Sequence, residues 1–121
     1  MKTTLVLILL SFSINAFCIE GKWNIVGVSV DIIKKEDAYI SKNCQKECEA
    51  LEATKLIHKK ILQRSNLAGG KNPGSVICKI IGGEVLIGLD KNKNQNTFCF
   101  FKKDESLISS GSISAIFYNL K

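Results

Sequence analysis

Residues 72–83 constrain the fold of this chain more than any other stretch, because they combine its only proline with a helix cap, a cysteine and a glycine pair. Asn72 followed by Pro73 is typical of a helix start, where the missing N–H of proline costs nothing. Gly82 can end such a helix in the left-handed conformation. The stretch therefore predicts a short helix over about 75–81. Its β-branched residues leave a turn followed by a strand as the alternative.

Two elements are predicted ahead of this stretch. Apolar and polar residues alternate through 22–33, which predicts one half-buried strand with Trp23 as a core anchor. A helical period predicts a long amphipathic helix over about 44–64, capped by Ser41 or Asn43. Its acidic residues come early and its basic residues late, an order that suits the helix dipole.

Short strands are predicted after the stretch. Alternation over 85–89, a polar turn over 90–96 and a return strand with Phe98 and Phe100 on one face predict a β-hairpin. Residues 113–118 predict a closing strand or a short helix. Further polar turns or linkers are predicted over 34–37, 65–71 and 102–106.

Residues 1–18 have the features of a secretory signal peptide: a charged start, an apolar run and a small-residue exit. Cleavage is expected after Ala16 or after Cys18. The remaining residues, 19–121, are enough for one small domain. The sequence therefore predicts an exported protein, periplasmic or secreted.

The apolar run over 5–10 is shorter than the roughly 20 residues that span a bilayer. We therefore expect no transmembrane span in the mature chain. A lipoprotein needs a small residue directly before its modified cysteine, whereas Phe17 precedes Cys18. We therefore expect no lipid anchor.

Export makes the five cysteines candidates for disulfides rather than for metal binding or catalysis. If Cys18 leaves with the signal, the four that remain are Cys44, Cys48, Cys78 and Cys99, and the sequence does not choose among their possible pairings. A bridge between Cys44 and Cys48 within a regular helix would be strained, because their Cα spacing lies near the upper limit for a disulfide. A retained Cys18 could reach one of the pair.

The net charge of +6 raises the question of nucleic acid or an acidic surface as a partner. Basic residues are spread along the chain and form no stripe, which indicates a solvated, lysine-rich surface. We expect no nucleic-acid binding.

Residues that could carry catalysis are sparse. His58 is the only histidine, and ten helical residues, about 15 Å, separate it from Cys48. This spacing favours a half-buried structural histidine over a Cys-His nucleophile pair. The Cys44-x3-Cys48 pattern lacks the second ligand pair of a zinc site, and there is no glycine-rich phosphate loop. We therefore predict a non-enzymatic protein without cofactor or metal.

A family resemblance rests on four motifs in the second half of the chain. They are Asn72-Pro73-Gly74-Ser75 with Cys78 and Gly82-Gly83-Glu84, then Asn96-Thr97-Phe98-Cys99 with Phe101, then Asp104-Glu105-Ser106, and a closing Ala115-Ile116-Phe117-Tyr118. In this order they resemble the bacterial domain-of-unknown-function 333 family, often labelled hemolysin, over about residues 70–119. Gly74 stands where the family has alanine, Glu105 where it has glycine and Ile116 near its tryptophan, and the closing segment has no cysteine.

The resemblance implies a small exported bacterial protein with a Cys78–Cys99 disulfide. Such a bridge would tie the short helix to the return strand, and closing a loop of this length contributes about 3 kcal/mol in the chain-entropy model. The family motif gives structural roles to Asn72, Pro73, Ser75, Gly82 and Gly83. It supplies no reaction.

These observations predict a single α+β domain: a mostly antiparallel sheet packed against one long amphipathic helix and stapled by disulfides. The predicted function is a periplasmic or secreted binding or envelope-associated module, with an unknown protein or envelope component as partner. The alternatives are a small exported inhibitor of a protease or lysozyme-like enzyme, suggested by fold analogy, and a membrane-active protein, suggested by the hemolysin label.

Overall fold

The computed structural model describes residues 19–62 and 72–120. The signal peptide over 1–18 with its two cleavage sites, Cys18, and the predicted linker over 65–71 lie outside these ranges. The described strands are β1 (Gly21–Ile25), β2 (Val28–Lys35), β3 (Ala38–Ser41), β4 (Glu84–Leu89), β5 (Gln95–Phe101) and β6 (Ser106–Ser109). The described helices are α1 (Glu49–Thr54), α2 (Pro73–Ile80) and α3 (Ser110–Tyr118), with a 3-10 turn over Lys42–Cys44.

The strands close into an antiparallel barrel in the order β1-β2-β3-β6-β5-β4, and β4 returns to β1. The hairpins β1–β2 and β4–β5 supply the longest pairings. Closure depends on two short seams: Ile25 pairs with Gly88 between β1 and β4, and Ile40 pairs with Ile108 between β3 and β6. The predicted α+β fold, a sheet packed against one long amphipathic helix, is therefore wrong: the sheet closes on itself and the helices are short.

The single strand predicted over 22–33 is two strands joined by a tight turn at Val26 and Gly27. Both turn residues have positive φ, 51° and 78°, as in the type I′ turn that matches strand twist. The Gly27 N–H donates to Asn24 Oδ1 at 3.0 Å. Val26 in the turn is in phase with Val28, Val30 and Ile32 of β2, so the period of two runs through the turn and conceals the break.

The long helix predicted over 44–64 is replaced by the 3-10 turn, the six-residue α1 and a series of turns. Cys48 has extended backbone, with φ −153° and ψ 164°, so no helix passes through it. The first N–H groups of α1 are bound from another part of the chain: Glu49 N–H donates to Asp104 Oδ2 at 2.7 Å, and Ala50 N–H to Ser106 Oγ at 3.0 Å. The helical period of the sequence survives in Ile57, which is buried although it lies in a turn.

The helix predicted from the Asn72-Pro73 start is confirmed as α2, and the hairpin predicted after it is confirmed as β4 and β5. Asn72 Oδ1 accepts the Gly74 N–H at 2.9 Å, and Gly82 has a left-handed φ of 97°. Of the two possibilities for residues 113–118, the helix is correct, since they belong to α3.

Two separate apolar clusters hold the fold together. The inner core fills part of the barrel and consists of Trp23, Ile25, Ile32, Phe98 and Leu107. The outer core lies between the helices and the outer faces of β3, β5 and β6, and both pairs of cysteines belong to it. Alternation along each strand assigns its side chains to one cluster or the other.

Candidate ligand-binding site at the barrel mouth

One end of the barrel contains a cavity of about 590 Å³ whose wall is mainly apolar surface. Strand register identifies the inward-facing residues, since Trp23 pairs with Val30, Ile25 with Gly88, and Leu107 with Phe100. The inward-facing apolar residues that line the cavity come from five strands: Ile25, Val28, Val30, Leu86, Phe100 and Leu107. We call this cavity with its lining residues the mouth.

The interior beyond the mouth is packed solid, and we call it the closed end. Trp23 and Phe98 are 1% and 0% exposed, and their rings meet edge to face with centroids 5.3 Å apart. Trp23 Nε1 donates to the Ile19 carbonyl at 2.6 Å, so the only polar atom of the indole is satisfied. The prediction of Trp23 as a core anchor is confirmed.

The β1–β2 turn forms one rim of the mouth and exposes apolar surface. Val26 is 74% exposed and Val28 is 61% exposed. Val26 also holds a left-handed φ of 51°, which costs a non-glycine residue about 1–3 kcal/mol and suits a β-branched side chain least. This rim therefore combines exposed apolar atoms with stored backbone strain.

The opposite rim is held by hydrogen bonds. The buried Ser41 hydroxyl donates to Asn43 Oδ1 and accepts the Leu107 N–H at 2.9 Å. Asn43 Nδ2 in turn donates to the Asp104 carbonyl at 3.2 Å. These contacts join the end of β3 to the β5–β6 turn, so hydrogen bonds hold this side of the mouth in place.

Asp104 ties the same rim to α1. Its carboxylate accepts the Glu49 N–H at 2.7 Å and the Ser106 N–H at 3.0 Å. Partial burial acts to raise the pKa of Asp104, but the hydrogen bonds from Ser106 and Glu49 outweigh it and hold the pKa below its ordinary value. Asp104 is therefore a charged cap for α1 placed beside the mouth.

The charged part of the mouth is mostly acidic. Glu84, Glu105 and Lys42 line the cavity, and Asp31 borders it from the outer face of β2, where it lies opposite Lys22. Glu84 lies on the inward face of β4, opposite Phe100 in the register. Glu105 has a left-handed φ of 59°, a backbone conformation that favours glycine over other residues.

The four described cysteines form two disulfides, Cys44–Cys48 and Cys78–Cys99. All four are buried in the outer core and none lines the mouth. Gly83 packs on the second bridge: a Cβ there would lie 2.2 Å from Cys99 Sγ, so only glycine fits.

The residues with predicted structural roles at the ends of α2 do not line the mouth. Asn72 caps α2, Pro73 begins it, Ser75 lies within its first turn and Gly82 follows its end. A Cβ at Gly74 would lie 1.9 Å from the Ser110 carbonyl oxygen, so only glycine fits between α2 and α3 as they pack in this chain.

His58 does not belong to a site formed by the described residues. It is exposed on the turn after α1 and does not line the mouth, so its prediction as a half-buried residue is wrong. Residues 19–62 and 72–120 contain no cluster of three or more metal-ligating side chains.

A second cavity, of about 480 Å³, lies between the β2–β3 turn, α1 and α3. Its wall includes Lys35, whose ammonium group already donates to the carbonyls of Gln45 and Lys46. The cavity also contains Glu36 and Asp37 from an exposed turn. The polar groups in its wall are thus bound in part by the chain itself. The mouth is therefore the better candidate for a ligand-binding site.

None of the mouth residues was recognised as a site from the sequence. Val26, Val28 and Val30 were assigned to one strand, and Glu84 and Glu105 were assigned only to the family motif. The available signal was Asn24 three residues before Gly27, which predicts a turn ahead of the valines of β2. The rest of the mouth depends on barrel closure.

The described residues thus form a small closed antiparallel barrel with an apolar, acid-rimmed opening at one end. No protein-family model, no curated protein and no solved structure matches the chain. Within the described ranges, no helix has the length and apolar character needed to cross a membrane.

Proposed function

We propose that this chain is an exported, non-enzymatic binding protein that takes the apolar part of a small ligand into the barrel mouth. The observation that carries this proposal is the unfilled interior at one end of an otherwise packed barrel. A cavity of about 590 Å³ falls in the size range of small-molecule sites, roughly 300–1,000 Å³, and the mouths of barrels are a common place for them.

The composition of the mouth supports binding rather than folding as the reason for the cavity. Inward-facing Leu86 and Phe100 remain only half-buried there, whereas Phe98 on the same strand as Phe100 is fully buried. An apolar ligand would bury this surface together with exposed Val28. Burial of this surface together with the apolar surface of the ligand itself is the expected source of the affinity.

Two disulfides in a chain of this size support an oxidising compartment, and the signal-peptide pattern over 1–18 supports export to the periplasm or the outside. The resemblance to the domain-of-unknown-function 333 family agrees with this proposal. The inhibitor and membrane-active alternatives still rest on fold analogy and on a family label, and no described contact favours either.

The test uses N-pentyl dansylamide, a neutral fluorescent probe whose emission rises in an apolar site. We expect saturable binding at micromolar concentration. Leu86→Gln should weaken binding about tenfold, because it places a polar group on the apolar wall. Ile87→Gln is the matched control: it makes the same kind of change one residue along β4, on the outward face where Ile87 is 57% exposed.

Melting curves followed by circular dichroism should show that both variants remain folded. Equal dissociation constants for the two variants, or the lack of any saturable binding by the natural chain, would remove the proposal.

A further inference from the structure

We infer that the mouth selects ligands that carry a protonated amine on an apolar body, a class that includes alkyl and aryl ammonium compounds. This inference rests on the proposed function and concerns the ligand class of the same cavity. It follows from where the charges of the mouth lie relative to its apolar wall.

Glu84 is the central residue. Inward and outward side chains alternate along β4, so Glu84 shares the interior face with Leu86 and Gly88. The register places it opposite Phe100, at the end of the strand where the mouth opens. A carboxylate on this face sits at the top of an apolar wall, where an ammonium group on a bound apolar body would meet it.

A second acidic residue, Glu105 in the β5–β6 turn, lines the cavity from another side. Asp31 of β2 also borders the cavity, but alternation places its side chain on the outer face, opposite Lys22, so its carboxylate is not counted with the mouth. Among the described residues, no lysine, arginine or histidine nitrogen lies within 4.0 Å of the carboxylate of Glu84 or of Glu105. The charges of these two carboxylates are therefore not cancelled by an ion pair with a described residue.

The sign of the mouth opposes the sign of the chain. The whole sequence has 17 basic and 11 acidic side chains, yet the mouth has two carboxylates, those of Glu84 and Glu105, and the single ammonium group of Lys42. Charged residues drawn at random from this chain would include more basic than acidic members. A cleft that carries one sign of charge over low-dielectric walls focuses its field and concentrates ligands of the opposite sign.

Selection would also work by repulsion. An anionic amphiphile, such as a fatty acid, could fill the same apolar wall but would place its carboxylate beside Glu84 and Glu105. Like charges brought together in this way disfavour the wrong ligand, which is how many sites obtain specificity. The mouth is thus expected to distinguish ligands by the charge of the head group while the apolar body supplies the affinity.

The experiment compares three dansyl probes of the same apolar body: dansylcadaverine with an ammonium group, N-pentyl dansylamide without charge, and N-dansyl-6-aminohexanoic acid with a carboxylate. We expect the cation to bind about fivefold to tenfold more tightly than the anion at low salt, with the neutral probe between them. At about 0.5 M NaCl the difference should shrink, because the Debye length falls to a few ångström.

Two variants assign the preference to the mouth. Glu84→Gln should lower the cation-to-anion affinity ratio about threefold while leaving the neutral probe within about twofold. Glu47→Gln removes the same charge from an exposed position that does not line the cavity, and it should leave the ratio unchanged.

The outcomes separate the two proposals. Equal affinity for the three probes would overturn the charge preference and leave the binding function in place. Binding of none of the probes would overturn both. A preference for the cation that Glu47→Gln reduces as much as Glu84→Gln would show a general charge effect and would also overturn the inference.

Discussion

The two ends of the barrel are built from the same strands and differ in how they are filled. At the closed end, the Trp23–Phe98 pair packs with Ile32 in the interior, and the Trp23 indole donates to the Ile19 carbonyl. At the mouth, the inward-facing positions carry mostly aliphatic side chains, with Phe100 and the carboxylate of Glu84, and these leave about 590 Å³ between them. Small barrels are normally filled by their own side chains.

The contrast indicates that one end of the barrel interior stabilises the fold and the other end is available for binding. Removing a side chain from the packed end leaves a hole that the surroundings cannot fill. Removing one from the mouth enlarges a space that is already open.

Trp23→Ala should lower the free energy of unfolding by about 3–5 kcal/mol, because it empties the closed end of a fully buried aromatic ring. Trp23 is the only tryptophan, so urea unfolding must be followed by circular dichroism rather than by its fluorescence. Val28→Ala, on the inward face at the mouth, is the control and should cost less than about 1 kcal/mol. Similar losses in the two variants would show that the ends do not differ in packing.

Gly88→Ala probes the boundary between the two ends. A Cβ at Gly88 would lie 2.7 Å from the Phe98 ring and 3.1 Å from Ile25, so the added methyl group must displace one of them. We expect a loss of about 1–3 kcal/mol in the free energy of unfolding, the usual cost of overpacking.

Gly111→Ala provides the comparison for that change. Gly111 lies in α3 with nothing within 4 Å of a Cβ, and alanine there should raise the stability by about 0.5–1 kcal/mol. If urea denaturation showed that Gly88→Ala is as stable as Gly111→Ala, the interior around Gly88, Phe98 and Ile25 would not be closely packed.

The local elements of this fold could be predicted from the sequence, because their causes lie within a few residues. The cap at Asn72, the left-handed Gly82 and the alternating faces of the β4–β5 hairpin are of this kind. Each follows from the geometry of one turn or of one pair of neighbouring strands.

The long helix could not be corrected from the sequence, because the reasons for its absence lie elsewhere in the chain. Asp104 and Ser106 bind the first N–H groups of α1 from a turn more than fifty residues away. Extended backbone at Cys48 and the bridge to Cys44 complete the break. Tertiary contacts of this kind override a helical pattern.

Barrel closure, and with it the mouth, is the least predictable feature. The four-residue strands β3 and β6 come from segments for which the sequence predicts no strand. The β1–β4 seam depends on only two residue pairs. Residues from five strands meet at the mouth only because the sheet closes. The chemistry of the site is therefore a product of topology rather than of any motif.

Val26→Asn has the smallest expected effect and tests whether the mouth rim is built for binding. The change gives the β1–β2 turn the Asn-Gly pair that a type I′ turn prefers, so it should relieve the left-handed strain at residue 26 and raise the stability by about 1 kcal/mol. It also removes exposed apolar atoms from the mouth, so the affinity for the neutral dansyl probe should fall about twofold to threefold.

Opposite effects on stability and affinity would mean that the rim keeps a strained valine for the sake of its apolar surface, a familiar trade-off at functional sites. Asp37→Asn, in the β2–β3 turn outside the mouth, serves as the control and should leave the affinity unchanged. A Val26→Asn chain that gained stability without losing affinity would remove the rim from the binding surface and leave the inner wall of the mouth as the whole site. A chain that lost stability would show that Val26 is packed rather than strained, which would remove the contrast between the mouth and the closed end at this position.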